Sequence, residues 1–141
     1  MFNEVLFWSP YGKDAAVSNL RTPQDSDVLV FDKPECKLYL VDSELNNVFY
    51  NAVLYFENKL PEEMLSISIE NTLINDTPVD VQFNFVLADA GKGCYYTLYW
   101  NLSDLTDAGI ADITSLQLPV VVEGSSWPAT EYVNETFTVN P

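Results

Sequence analysis

The chain contains no histidine. Ser–His–Asp and Cys–His mechanisms need a base titrating near neutrality to take the nucleophile's proton, and imidazole is its usual source. Both are excluded, as are the common catalytic zinc sites built on imidazole ligands. Cysteine is scarce too. Cys36 and Cys94 are the only two, too few for a four-thiolate zinc site, and neither belongs to a CxxC pair. Both fall in expected strands, and without an export signal they are expected to be buried free thiols, not a disulfide. No GxGxxG or GxxxxGK(S/T) run occurs, so phosphate-cradling loops have no support. No apolar run approaches the ~20 residues that cross a bilayer as a helix. The opening residues Met1–Trp8 lack the basic and long apolar regions of a signal peptide. The expected setting is the cytoplasm or a virion. There is no internal repeat and no low-complexity tract.

Positive charge is the next deficit. Six bases stand against 21 acids, for a net charge of −15 over 141 residues. Such a surface repels phosphate backbones and anionic headgroups, so neither nucleic acid nor a membrane is an expected partner. The bases (Lys13, Arg21, Lys33, Lys37, Lys59, Lys92) all lie in the first 92 residues, and the last 49 carry six acids alone. That excess keeps a surface soluble, and it also suits docking onto a basic protein partner.

What the chain has in quantity is alternation. It is 48% apolar and 13% aromatic, well clear of disorder. From Val79 to Leu87 apolar Val79, Val81, Phe83, Phe85 and Leu87 alternate with Asp80, Gln82 and Asn84. Successive strand side chains point to opposite faces, so this period of two predicts one apolar and one wet face. Similar runs predict strands at about Glu4–Trp8, Val28–Phe31, Cys36–Val41, Val48–Phe56, Leu65–Ile69, Cys94–Leu102, Leu116–Val122 and Tyr132–Val139. Turn clusters separate them: Ser9–Gly12, Asp32–Glu35, Asp42–Asn47, Asn75–Pro78 and Ala90–Gly93. Helix is confined to one or two turns at Asp14–Leu20 and a short helix Asp104–Ala108, capped by Ser103 and ended by Gly109. Pro119 lacks an amide donor, which predicts an edge position or a bulge.

Many short strands with almost no helix predict an all-β, single-domain antiparallel β-sandwich over residues 1–141, immunoglobulin-like or jelly-roll-like, with eight or nine strands. The rhythm of Leu65–Ile69, Val79–Leu87 and Cys94–Leu102 resembles immunoglobulin-like domains. The Cys…Trp…Cys spacing of that family is absent, because Trp100 follows both cysteines.

Three chemistries remain. Glycosidases need only two carboxylates across a substrate, and Glu70, Asp80, Asp104, Asp107 and Asp112 are available. No spacing singles out a pair among 21 acids, so no enzyme is expected. A structural calcium ion is the one cofactor to weigh. Asp42-Ser43-Glu44-Leu45-Asn46 alternates oxygen donors, but Asn47 and Val53 stand where an EF-hand needs its glycine and its bidentate acid. A looser loop site from Asp25, Asp27, Asp42 and Glu44 is the remaining metal candidate, against a plain solvated turn.

Aromatic residues are the third. Trp127 sits in the polar run Gly124-Ser125-Ser126-Trp127-Pro128, and Trp8 runs into Ser9-Pro10-Tyr11. Exposed flat rings anchor protein interfaces or stack on sugars, whereas rings that only cap a sandwich end do neither. Tyr95 and Tyr99 share the face opposite Trp100, to be covered by the second sheet or used as a contact surface. The sequons at Asn75, Asn101 and Asn134 have no export signal beside them. The leading expectation is a non-enzymatic structural or interaction domain, an accessory or decoration subunit of a larger assembly such as a virion, with homo-oligomers open. The alternative is a carbohydrate-binding sandwich module using Trp127, Trp8 and Tyr11.

Overall fold

A computed structural model describes residues 6–8, 27–82 and 85–141; of 6–8 it describes the backbone alone. Two sheets make up the fold. The first has the order β1 (Leu6–Trp8), β9 (Gly93–Asn101), β4 (Phe49–Asn58), β3 (Cys36–Leu45) and β2 (Val28–Asp32). It is antiparallel except where β1 runs parallel to β9, with Leu6 opposite Cys94. The second sheet centres on β10 (Leu116–Gly124). β11 (Glu131–Val139) flanks it on one side; β5 (Leu65–Ile69) and the two-residue β6 (Leu73–Ile74) lie end to end on the other. β8 (Phe85–Ala88) then pairs with β5, and β7 (Thr77–Pro78) with β6. The expected all-β sandwich is present.

The core lies between the sheets. Leu65, Ile67 and Ile69 of β5 and Leu116, Leu118, Val120 and Val122 of β10 are all buried, while the residues between them are half-exposed. Leu38, Leu54, Phe56, Tyr96, Leu98 and Trp100 meet them from the first sheet. Each such side chain contributes about 1.5–3 kcal/mol on leaving water. On one flank Phe31 of β2 stacks on Phe137 of β11 at 5.0 Å, and Lys33 bridges to Glu135 at 2.7 Å.

Several expectations change. Val79–Leu87 is not one strand. After β7, Gln82 makes a bridge to Tyr99 in the first sheet, and Phe85–Ala88 returns to the second. In β8 the inward residues are Val86 and Ala88, and Phe85 and Leu87 stand outside, about half exposed. The alternation is real and keeps its parity, but Gln82 pairs with the first sheet and Phe85 with the second. The two sheets meet the core from opposite sides, so the odd residues that face inward at Val79 and Val81 face outward at Phe85 and Leu87. Phe83 and Asn84 lie outside the described residues, as do the Ser9–Gly12 turn, Tyr11, the helix expected at Asp14–Leu20, Lys13, Arg21 and Asp25.

Asp42–Glu44 continues β3 where a turn was expected, after a register shift between Leu40 and Asp42. The turn falls at Asn46, whose Oδ1 accepts from the amides of Val48 (2.8 Å) and Phe49 (3.0 Å). The helix α1 (Leu102–Asp107) begins before Ser103, so Asn101 holds the cap position and makes no side-chain cap bond. Pro119 sits in the central strand instead of at an edge. On one side it faces the gap between β5 and β6, where Leu118 and Pro119 have no ladder partner, so the missing amide costs no sheet hydrogen bond there. That gap contains Asn71 at φ 58°.

Candidate interaction surface

The loop from β10 to β11 carries Trp127, the most exposed of the large apolar side chains described, at 94%. Polar contacts at its base hold the loop. The Gly124 amide donates to Thr130 O at 2.9 Å and the Ser125 amide to Met64 O at 3.1 Å. Glu63 reaches in from the segment before β5. Its carboxylate accepts from the Ser126 hydroxyl (2.5 Å), the Ser126 amide (3.2 Å) and the Tyr132 hydroxyl (2.7 Å). The Ser126 hydroxyl, followed by the Tyr132 hydroxyl, holds the Glu63 carboxyl below its ordinary value. Gly124 makes room for this arrangement, since a Cβ there would stand 2.5 Å from Glu63 Oε2. The Trp127–Pro128 peptide is cis. The apolar ring is thus displayed by a loop whose base is anchored.

The other aromatic candidates do not join it on the surface. Tyr95 and Tyr99 have no exposed area. Both faces of β9 are buried throughout Gly93–Trp100: Tyr95 packs with Val41, Val53 and the Tyr55 ring (4.9 Å), and Tyr99 meets Phe49 edge-on at 4.8 Å. A period-two reading assigns residues to faces but cannot tell that both faces are covered. Trp8 lies in β1 opposite Tyr96; its side chain, like Tyr11, is outside the described residues.

Acid candidates are dispersed. Asp104 and Asp107 lie on α1, while Asp112, Glu70 and Asp80 are exposed in connecting segments. Of the looser metal set, Asp27 and Asp42 line one shallow cleft of about 180 Å³, and Glu44 is exposed further along β3. Among the described residues no three His, Cys, Asp or Glu side chains are grouped as a metal ion would require. Cys36 and Cys94 are free and buried, opposite Asn58 and Phe56 on either side of β4. Burial pushes both thiols up to about 12. No described helix is long and apolar enough to cross a membrane.

The sequon residue Asn75 has a structural occupation. Its Oδ1 accepts from Thr114 N (2.8 Å), Thr114 Oγ1 (2.9 Å) and Ser115 N (3.1 Å), and its Nδ2 donates to Asp112 O (2.6 Å). Asn75 and Asp76 both have positive φ, as a two-residue type I′ hairpin requires.

Sequence reasoning missed the outer face of the second sheet. There Phe85 and Leu87 are exposed, with Ser68 and Ser66 opposite them on β5 and Val121 and Glu123 next on β10. The change of sheet that exposes them has no signature in the alternation itself.

No family profile and no curated protein matches the chain. Among solved structures it is similar to the GAE domain of GGA2p from Saccharomyces cerevisiae, at 16% identity and TM-score 0.44, over 82% of this chain and 96% of that one. It is also similar to the yeast GGA1 GAE domain, at 8% identity and TM-score 0.47, over 82% of this chain and 100% of that one. The yjhA protein from Bacillus subtilis matches at 11% identity and TM-score 0.42, over 63% and 76% of the two chains.

Proposed function

We propose that the chain is a non-enzymatic protein-interaction domain whose Trp127 loop is a principal anchor. One observation carries this reading: a tryptophan 94% exposed on a loop pinned by Glu63, Met64 and Thr130. Leaving so large an apolar ring in water forgoes a stabilisation of about 1.5–3 kcal/mol that burial would bring. A partner recovers that energy, and a fixed loop base limits the ordering cost of docking. The partner surface is basic, to match a net charge of −15. An accessory place in a larger assembly, a virion among the settings, extends the same reading and rests on that charge.

Purification from the native source, with mass measurement of the intact complexes, tests it. The wild-type chain is expected to hold a protein partner, Trp127→Ala to lose it without change in circular dichroism, and affinity to fall as salt rises. A partner indifferent to Trp127→Ala removes the reading.

An exposed indole ring also fits the apolar face of a sugar, so a carbohydrate-binding module is the second reading. A glycan array on which wild type binds and Trp127→Ala does not would move the assignment there.

A further inference from the structure

The outer face of the second sheet has a shape and a charge that the Trp127 loop does not use. Across the strands at one level run Leu87, Ser66, Glu123 and Glu131; at the next run Phe85, Ser68, Val121 and Asn134. The two serines are the short residues in the middle. Phe85 and Leu87, 50% and 49% exposed, rise on one side of them, and Val121 and Glu123 on the other. Strands lie about 4.8 Å apart, so the walls are roughly 10 Å apart at the backbone. That width takes one extended chain, whereas a helix with its side chains is itself about 10–12 Å across.

The charge is one-sided. Glu123 pairs with Glu131 just past the register shift after Val122. Although Glu131 Oε1 accepts from Asn134 Nδ2 at 3.2 Å, two like charges paired across strands are destabilising. The described bases sit elsewhere. Lys33 is held by Glu135, Lys37 and Lys59 are held by Asp32, and Lys92 lies in the turn before β9. A second copy of this chain would bring two more glutamates against the first two, and it is disfavoured as the occupant.

We propose that the trough over Ser66 and Ser68 seats an extended segment of a partner protein in which a large apolar side chain adjoins a lysine or arginine. The apolar side chain packs between Phe85, Leu87 and Val121, and the base reaches the Glu123–Glu131 pair. This rests on the interaction reading above and names a second contact, distinct from Trp127.

Selection of a random linear-peptide display library on the full-length protein tests it. Enriched peptides are expected to share an apolar residue beside a base. A synthetic peptide of the enriched sequence is expected to lose about tenfold in affinity with Phe85→Ser or Leu87→Ser, the scale of a modest interface anchor. Glu123→Gln with Glu131→Gln is expected to weaken binding and flatten its salt dependence. All four positions have exposed or half-exposed side chains, so melting temperature is expected to hold within a few degrees and verifies folding. Four results each overturn the proposal: no enriched peptide, enriched peptides without bases, binding indifferent to the Phe85 and Leu87 variants, or self-association abolished by Leu87→Ser. Loss of a native partner with Trp127→Ala but with neither trough variant overturns the trough alone and leaves the interaction reading standing.

Discussion

The indole nitrogen of Trp100 donates to the Thr72 hydroxyl at 2.9 Å, and that hydroxyl donates to the Val79 carbonyl at 2.8 Å. Trp100 belongs to β9 of the first sheet and Thr72 to the link between β5 and β6 of the second. Both residues are buried. The relay therefore crosses the interior and satisfies the one polar atom that the indole carries into it.

Replacing Thr72 by valine keeps the shape and removes the relay. An indole N–H and a backbone carbonyl are then left unpaired in the core, at about 1–3 kcal/mol each. Thr72→Val is expected to lose about 2–4 kcal/mol, read as a lower urea midpoint at unchanged slope.

Asn58 is the second buried polar hub. Its Nδ2 donates to Glu63 O (2.7 Å), Ala88 O (3.1 Å) and Asp89 O (3.2 Å), and its Oδ1 accepts from Leu60 N (2.9 Å). The side chain thereby ties the segment before β5 to the end of β8. Asn58→Ala is expected to cost about 2–4 kcal/mol and to raise hydrogen exchange at Leu60, whose amide loses its acceptor.

Glu63 makes the Trp127 loop sensitive to acid. A carboxyl depressed in the folded state stabilises fully above its unfolded value, here 4.5, and that contribution is lost as pH falls through the lower folded value. The melting-temperature gap between wild type and Glu63→Gln is therefore expected to be constant at neutral pH and to narrow below about 4.5. A gap that widens in acid would contradict the assignment.

With thiols pushed up to about 12 by burial, Cys36 and Cys94 hold almost no thiolate at pH 8. A disulfide-exchange reagent is expected to titrate neither in the native protein and both in denaturant. Reaction of either under native conditions would show that its strand opens.

Much of this was readable in the residues. β5 falls at Leu65–Ile69 as the alternation placed it, because its inward and outward residues differ sharply in polarity and no crossing interrupts it. β10 and β11 followed the same rule within two residues at either end. Elsewhere the pattern was present but incomplete. Asp42–Glu44 is polar and still a strand, since its ladder partners Asn51–Val53 continue the pairing. Phe85 and Leu87 read as core because nothing local records that the chain has changed sheets between Gln82 and Phe85. Of the surface candidates, Trp127 was found through its polar neighbours; Glu63, which holds its loop, lies 63 residues from Ser126 and left no local trace.

The pairing of β1 with β9 sets a condition on biosynthesis. β1 finds its neighbour only when Gly93–Asn101 has left the ribosome, and β5, which can pair earlier with β8, meets β10 later still. The first sheet is incomplete until β9 has been made, and the second until β10 and β11 have been made. Such distant partners belong to topologies that fold in milliseconds to seconds, so a nascent chain spends that interval with open strand edges, and a net charge of −15 opposes the approach of neighbouring copies.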